Sequence, residues 1–462
     1  MRVLLVLAPE WTVETPPLAI ASLAAWLEQH GHTTRCLDLN LRAYRESPDH
    51  QARRLWDLHS QSQWLDEQGK KTCSLLWPIL SRGLEEAVED FAPEIVGFSL
   101  FATNLATSMA LAEHAKKLRP ELPVVFGGPP CHSDAEDGGQ SYFLCFDPID
   151  AVVKVEGEMA LTALVEDLAA NGRLTRAVPG SIVRLGGAHV HGGEGDKVAR
   201  LDALPLPLFR DLPPGNYLRK ALPIQGSRGC VARCTYCAEA GWWGQYRYKT
   251  PARVVDEMRD GMERYGVRSF VFVDSLINGS LPKLREMASE IVRQGLDVEF
   301  EGNARVHPQM DAEMFALLKR AGCRQLKLGI ESGSDEVLRA MKKGTRTADA
   351  MQVLRHAKHV GIEASTDWLV GYPTETWRNY LETLWFIAKH RDYLGVVNAN
   401  PDGAAVLPGA RLHSNPEKWS VDDLRSHSDW SGPGGMNSRR VRRLKGHFFK
   451  RWVRWMGIHQ AN

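Results

Sequence analysis

Three cysteines fall within eight residues, in the run Gln225-Gly226-Ser227-Arg228-Gly229-Cys230-Val231-Ala232-Arg233-Cys234-Thr235-Tyr236-Cys237. Ser, Arg, Thr and Gly surround them, so apolar burial does not account for the cluster. Three soft thiolates at this spacing suit zinc or an iron–sulfur cluster. Structural zinc takes four ligands, and the next candidates, His307 and Cys323, lie far along the chain on different βα units. A four-iron cubane usually takes four cysteines. Held by three, it keeps one iron open, which makes it a chemical site rather than a staple. A catalytic disulfide is the remaining option, but this C-x-x-C lacks a thioredoxin-like setting.

The loop directly follows the first strand of a repeating pattern. Strands at 222–226, 269–274, 298–304, 325–331, 364–371 and 395–399 alternate with helices at 251–265, 281–294, 311–321, 334–342, 347–360 and 375–390. Six βα units within 221–400 are too many for a compact open sheet. They predict a partial (β/α)6 TIM-type barrel, whose chemistry sits at the C-terminal strand ends. Residues 1–200 alternate too, with strands at 2–8, 34–39, 95–101, 123–127 and 151–155 and helices at 17–30, 74–91, 104–118 and 158–171. Buried apolar strands separated by helices predict an α/β, Rossmann-like, doubly wound parallel sheet. Ligands of such sheets sit at the C-terminal strand ends. Here those ends carry Pro9-Glu10-Trp11, Ser99-Leu100-Phe101-Ala102-Thr103 and Gly127-Gly128-Pro129-Pro130. Simple turn geometry is the plainer account of those glycines. Two short strands around Gly186-Gly187 read as a surface hairpin; its His189 and His191 share a face, where a metal role is the lesser alternative. Residues 201–220 are proline-rich and read as a linker, and 401–462 form a short C-terminal extension.

Composition narrows the class. In 462 residues, Lys+Arg number 57 and Asp+Glu 56. That balance excludes a nucleic-acid binder relying on bulk positive charge. Eight cysteines are too sparse for a disulfide scaffold, and the expected compartment is the cytoplasm, where thiols stay reduced. No apolar run reaches the length of a membrane span, and the N-terminal run reads as a buried strand rather than a signal peptide. The near-neutral total hides an uneven distribution. Eight basic residues and no acidic one lie in 436–462, which leaves a slightly acidic body and a basic tail. Val441, Leu444, Phe448, Trp452 and Trp455 recur there at helical spacing on one face. The favoured expectation is that this helix docks on the barrel with its arginines in solvent. Peripheral contact with an anionic membrane is the alternative.

The motif Cys-x-x-x-Cys-x-aromatic-Cys at the end of a first barrel strand resembles the radical S-adenosylmethionine superfamily. The resemblance implies a [4Fe–4S] cluster on Cys230, Cys234 and Cys237. It further implies that the open iron chelates the amino and carboxylate groups of S-adenosylmethionine, with Tyr236 beside the adenine. Asp274, in Val271-Phe272-Val273-Asp274-Ser275, corresponds to groups near the methionine amino end; a helix N-cap region is its structural reading. Arg305, ending Gly302-Asn303-Ala304-Arg305, resembles the family's arginine there. Glu331, in Gly329-Ile330-Glu331-Ser332-Gly333, would contact the ribose or a neighbouring arginine. Val370-Gly371-Tyr372-Pro373-Thr374-Glu375-Thr376 resembles the family's Gly-x-Pro-x-Glu-Thr turn, with a strong structural reading as a capped helix start. Trp242, Trp243, Tyr246 and Tyr248 are expected to pack the cysteine loop onto the barrel, with shaping a substrate mouth as the other reading.

The N-terminal half resembles the cobalamin-binding domain of cobalamin-dependent radical enzymes, through Ile95-Val96-Gly97-Phe98-Ser99, Val124-Val125-Phe126-Gly127-Gly128-Pro129-Pro130, Val155-Glu156-Gly157-Glu158 and the Leu-Pro-Leu-Pro segment. Gly127, Gly128 and Pro129 would then lie along the nucleotide tail, and Ser99 and Thr103 would hydrogen-bond it. Methylthiotransferases are the main rival. They carry a second three-cysteine cluster, for which Cys36, Cys73, Cys131 and Cys145 give no context. One departure matters: the loop after the first strand, Pro9-Glu10-Trp11-Thr12-Val13-Glu14, lacks the Asp-x-His-x-x-Gly of histidine-ligated domains. Asp57-Leu58-His59 is a near miss in the wrong place. The expectation is cobalamin held without a protein histidine on cobalt.

The reaction so implied is methyl transfer to an unactivated carbon of a small-molecule, lipid or peptide substrate. A 5′-deoxyadenosyl radical abstracts hydrogen, methylcobalamin supplies the methyl group, and a flavodoxin- or ferredoxin-type donor supplies electrons. No nucleic-acid partner is expected. Cobalamin-dependent cyclisation or rearrangement is the alternative within this chemistry. A zinc-binding or scaffold protein retaining the fold is the alternative outside it.

Overall fold

The computed structural model describes residues 1–47, 50–132, 140–400, 402–426 and 428–460, apart from the side chains of Gln51, Leu58, His59, Asp66 and Ala240. His59 therefore lies outside the described side chains. The chain divides into two compact units, residues 1–223 and 224–461.

In the first unit, apolar runs form β1 (Arg2–Leu7), β2 (Thr33–Asp38), β3 (Ile95–Ser99), β4 (Val124–Gly127), β5 (Ala151–Val153), β6 (Ser181–Leu185) and β7 (Ala188–His191). They pair in the order β2-β1-β3-β4-β5-β6-β7. The first five run parallel and the β6–β7 hairpin adds antiparallel to the edge. The doubly wound sheet is as expected, and the hairpin proves to be part of it. His189 is a clamp there: its Nδ1 accepts from the Ser141 N–H at 3.2 Å while Nε2 faces the Leu144 carbonyl at 3.1 Å. Both ring nitrogens are thus engaged within the fold.

Helices cover the sheet, and two were not foreseen in full. Leu39–Glu46 is a separate helix capped by Asp38, and the one ending at Phe91 begins eight residues early, at Asp66. The earlier boundary was obscured because Gly69 and a run of polar residues interrupt the apolar period. The proline-rich segment 201–220 is pinned onto this unit. Asp211 accepts from the Cys36 N–H at 2.9 Å, and the Tyr217 hydroxyl donates to Asp38 at 2.8 Å.

The second sheet contains β8 (Ala221–Ile224), β11 (Ser269–Phe272), β12 (Glu299–Arg305), β13 (Cys323–Glu331), β14 (Glu363–Trp368) and β15 (Val396–Ala399), in sequential order. A two-stranded ribbon of β9 (Ser227–Arg228) and β10 (Arg247–Tyr248) flanks the cysteine loop. Sequential parallel strands joined by helices make the expected (β/α)6 partial barrel. Its helices are stopped by ordinary chemistry. Thr250 caps Pro251–Tyr265, with Pro251 at the first turn and Gly266 left-handed at the end. Asp311 accepts from the Met314 N–H at 2.8 Å, and Thr376 with Asn379 forms a reciprocal cap on Trp377–His390.

The C-terminal helix, Arg439–Trp455, docks as expected with most of its arginines exposed, but through a different face and with Arg442 buried. It is packed against its unit through Arg442, Lys445, Gly446, Phe449 and Val453. The aromatic stripe read from the sequence is not the docked face; Leu444, Phe448 and Trp455 point outward. Burial of two basic side chains is offset by specific partners. Arg442 lies over the Trp430 ring at 3.8 Å and donates to the carbonyls of Trp430, Asn437 and Ser428. Lys445 pairs with buried Glu375 at 2.9 Å and with Asn437 Oδ1 at 2.8 Å.

Candidate active site

The three cysteines sit on one loop at the C-terminal end of β8. Gly229 turns the chain with φ +85°, where a Cβ would meet the Gln245 carbonyl at 3.2 Å. The loop is anchored at Thr235. Its N–H donates to the Met341 carbonyl at 3.0 Å, its carbonyl accepts from Leu412, and its hydroxyl meets the Tyr372 hydroxyl at 2.9 Å. Cys230 and Cys237 are half-buried and Cys234 is buried. The Ala232 N–H lies 3.4 Å from Cys230 Sγ. Burial nevertheless pushes the free Cys230 thiol up, and Cys237 up to about 11, against backbone N–H groups that favour the thiolate. Among the described residues no three His, Cys, Asp or Glu side chains converge closely enough for one metal ion. Cys323, weighed as a fourth ligand, is buried at the start of β13, the opposite end of its strand from the barrel mouth.

The barrel's inner wall is polar. Strand β12 reads Glu-Phe-Glu-Gly-Asn-Ala-Arg and β13 ends Gln-Leu-Lys-Leu-Gly-Ile-Glu, with burial alternating along both. Phe300, Ala304, Leu326, Leu328 and Ile330 are buried, and the intervening polar residues occupy the other face. Register aligns Arg305, Gly329, Asp367 and Asn398 in one layer and Asn303, Lys327, Ser365 and Val396 in the layer below. A closed barrel fills its interior with branched apolar side chains; this wall suits a polar ligand. Asn398 donates to Asp367 and to Ser365, each at 3.1 Å, while its own buried oxygen has no partner.

Tyr236, Glu331 and Arg305 come together through a residue the sequence reading missed. Lys343 Nζ is 2.9 Å from Glu331 Oε1 and 3.2 Å from the Tyr236 hydroxyl. Arg305 donates to the Lys343 carbonyl at 3.3 Å, and its buried Nε has no partner. Burial opposes the Lys343 charge, but Glu331 and Cys234 hold its pKa above the ordinary value. Glu331 adopts φ +70°, a left-handed conformation rare outside glycine. A side chain at Gly329 would fall 2.6 Å from Glu331 Oε1 and 2.8 Å from Lys343 Nζ. The available signal for Lys343 was the Lys-Gly turn that follows the helix Asp335–Ala340; nothing in its spacing marked it as buried.

Asp274 lies apart from this group. It is buried, and its carboxylate accepts from the Gly226 N–H at 2.9 Å and the Ser227 hydroxyl at 2.5 Å. Desolvation lifts its pKa to about 6 against those bonds. It therefore braces the peptide leading into the cysteine loop. It caps no helix, since the next begins at Leu281 after Ser280. Two of the four aromatic residues pack within the unit, Trp243 under Arg228 at 5.5 Å and Tyr246 beside Gly279, whereas Tyr248 is exposed.

In the first unit, β1 and β3 are sheet neighbours whose connections leave in opposite directions, the arrangement that opens a ligand crevice at the strand ends. Ser99 and Gly127 end adjacent strands in register. Gly128 takes φ +129° and passes so close to Leu100 that a Cβ would fall 2.3 Å from its carbonyl oxygen; Pro129 starts the short turn that follows. The Thr103 hydroxyl donates to the Glu10 carbonyl at 2.9 Å. Trp11 and Phe101 stack with centroids 3.7 Å apart and planes 17° from parallel. Two asparagines outside the sequence reading fix these loops. Asn40 accepts from the Trp11 N–H at 3.0 Å, and Asn104 accepts from the Phe101 N–H at 2.8 Å while donating to the Ser99 carbonyl at 2.9 Å.

Comparison with known proteins matches residues 224–387 to the radical SAM superfamily and residues 76–165 to the B12 binding domain. The chain thus carries a B12 binding domain followed by a radical SAM domain. An uncharacterized methyltransferase of Pyrococcus horikoshii is 26% identical over 71% of this chain and 70% of its own length. Cytidylyl-2-hydroxyethylphosphonate methyltransferase of Streptomyces wedmorensis is 24% identical over 78% of this chain and 69% of its own. The fold follows that of the radical S-adenosylmethionine methyltransferase TsrM of Kitasatospora setae, with TM-score 0.69 and 20% identity, covering 97% of this chain and 84% of that one.

These enzymes take a [4Fe–4S] cluster, S-adenosylmethionine and cobalamin, and the residues present fit all three. Three thiols with no fourth ligand beside them among the described residues suit a cluster with one open iron. The partnerless Arg305 Nε and the Glu331–Lys343 pair offer donors and an acceptor to a polar, zwitterionic ligand. Gly128 lets its loop lie directly against the Leu100 backbone, which holds together the two strand-end loops that border the crevice.

Proposed function

We propose that this enzyme transfers a methyl group to an unactivated carbon of a small-molecule, lipid or peptide substrate. The observation that carries the reading is the three-cysteine loop at the mouth of a polar-walled barrel in a chain that also carries a B12 binding domain. Both relatives described above are methyltransferases by name. When bound, the cluster and S-adenosylmethionine supply a hydrogen-abstracting radical, and cobalamin supplies the methyl group.

The chain's own residues position and shield. Cys230, Cys234 and Cys237 hold the cluster, and Thr235, through Met341, Tyr372 and Leu412, keeps their loop at one depth. Asp274 braces the approach to that loop from below. Arg305, Glu331 and Tyr236 face S-adenosylmethionine, with Lys343 fixing Glu331 in its left-handed pose. Ser99, Thr103, Gly127, Gly128 and Pro129 line the cobalamin site of the first unit. Such preorganisation serves radical chemistry better than acid–base groups would. A flavodoxin- or ferredoxin-type protein delivers the electrons, and a cytoplasmic setting keeps the free thiols reduced.

The test is incubation of anaerobically reconstituted enzyme with methyl-labelled S-adenosylmethionine and candidate lipids, peptides and small molecules. A product heavier by one labelled methyl supports the reading. Formation of 5′-deoxyadenosine and an altered product without the label replaces it by cyclisation or rearrangement.

A further inference from the structure

Two neighbouring helices of the second unit each carry an exposed apolar stripe. On Trp377–His390, Trp377, Leu381 and Trp385 recur every four residues and are 54%, 60% and 63% exposed. Four-residue spacing places them on one face. On Arg439–Trp455, Leu444, Phe448 and Trp455 are 62%, 52% and 79% exposed. At 100° per residue these three lie within about 40° of one another and opposite the docked face. The helices are joined: the Tyr380 hydroxyl donates to the Lys445 carbonyl at 2.8 Å, and Lys445 Nζ lies 4.9 Å from the Trp377 ring. Isolated exposed apolar residues are ordinary, but six large ones on two joined helices mark an interaction surface.

Charge names the partner. The last 27 residues hold eight basic side chains and no acid. Arg442 and Lys445 are buried and Arg443 pairs with Asp402 at 3.1 Å, while Arg439, Arg440, Arg451 and Arg454 are exposed on the same helix. Lys389 lies against Trp385 at 4.6 Å, and the acid on that helix, Glu382, is paired with Arg378. Aromatic and leucine side chains rimmed by arginine match the interface of an anionic bilayer, where rings enter the headgroup boundary and guanidinium groups meet phosphate. With Asp402 and Glu382 each paired to an arginine, the exposed Arg439, Arg440, Arg451 and Arg454 leave this surface an excess of positive charge, which an anionic bilayer complements.

We propose that this two-helix face docks the enzyme peripherally on anionic lipid membranes. The inference is independent of the reaction catalysed. Its test is co-sedimentation of the full-length holoenzyme with vesicles of phosphatidylcholine, alone or mixed with phosphatidylserine. Wild type should pellet with the mixed vesicles, at least tenfold less with phosphatidylcholine alone, and less again at high salt. Leu381→Ser/Trp385→Ser/Phe448→Ser/Trp455→Ser should weaken binding at least tenfold with an unchanged melting temperature, and Arg440→Glu/Arg451→Glu should weaken it on mixed vesicles. Absence of pelleting with mixed vesicles overturns the proposal, as does pelleting that the apolar variant leaves intact. Should the apolar variant instead convert a sedimenting dimer to monomer without any vesicle binding by wild type, the face is a contact between copies and the proposal fails.

Discussion

Lys343 Nζ rests 2.9 Å from Glu331 Oε1, inside the barrel mouth and beside the cysteine loop, with both side chains largely buried. Neither charge is there for stability alone, because a buried ion pair often gains little over a packed apolar pair, whereas breaking one costs about 3–5 kcal/mol. Lys343→Met should therefore destabilise by roughly 3 kcal/mol at pH 7. Lys343→Met/Glu331→Gln should recover much of that loss, since it removes the stranded carboxylate. Chemical denaturation of the four forms gives the coupling. A double variant no better than Lys343→Met would show that the two groups act separately.

Iron and acid-labile sulfide should distinguish the three loop cysteines from the others. Cys230→Ala, Cys234→Ala and Cys237→Ala should each lose most of the iron taken up on anaerobic reconstitution. Cys36→Ser, Cys73→Ser and Cys323→Ser should keep it, because those thiols are buried elsewhere in the fold. A Cys230→Ala protein that retains both the cluster and S-adenosylmethionine cleavage would falsify the radical assignment.

Gly128 offers a test of the first unit. A Cβ there meets a backbone oxygen, and φ +129° is itself costly for any other residue. Gly128→Ala should lower stability by about 1–3 kcal/mol and reduce cobalamin retained through gel filtration. With no histidine in the loop Pro9–Glu14, electron paramagnetic resonance of the cob(II)alamin form should lack nitrogen hyperfine splitting from the protein. Splitting that disappears in His59→Ala would instead assign that histidine to the cobalt.

Glu10, at the end of β1, predicts a pH dependence. Burial raises its pKa to about 7, opposed by Thr103. The folded protein thus holds a proton that the unfolded chain, titrating near 4.5, releases earlier. The sign is fixed by linkage: stability is lost as pH rises from about 4.5 through 7. Glu10→Gln should remove this loss, raising stability over wild type by roughly 1–3 kcal/mol at pH 8 and little at pH 4. Calorimetry of the cobalamin-free protein at both values checks it. Equal effects at the two pH values would mean that Glu10 is already charged in the fold.

Period and spacing in the sequence determined the βα alternation, the two sheets and the cysteine loop, because these depend on local rules: apolar runs bury, helices cap, and thiols gather where a cluster must bind. The polar inner wall was also legible in the alternation of Glu299–Arg305, although that signal is easy to pass over inside a parallel sheet. Tertiary structure alone decided the rest. Lys343 is an ordinary lysine until the fold turns it toward Glu331 and Tyr236. Asp274 sits beside a motif yet faces the backbone of Gly226, a direction set by packing between strands. The tail helix shows the division most clearly. Its amphipathic period was plain, but a period does not say which face meets the protein. Glu375 from a distant segment, with Trp430 and Asn437 from the stretch just before the helix, chose Arg442 and Lys445 over the apolar stripe, because a charged group goes inside only where its hydrogen bonds and counter-charge are already in place.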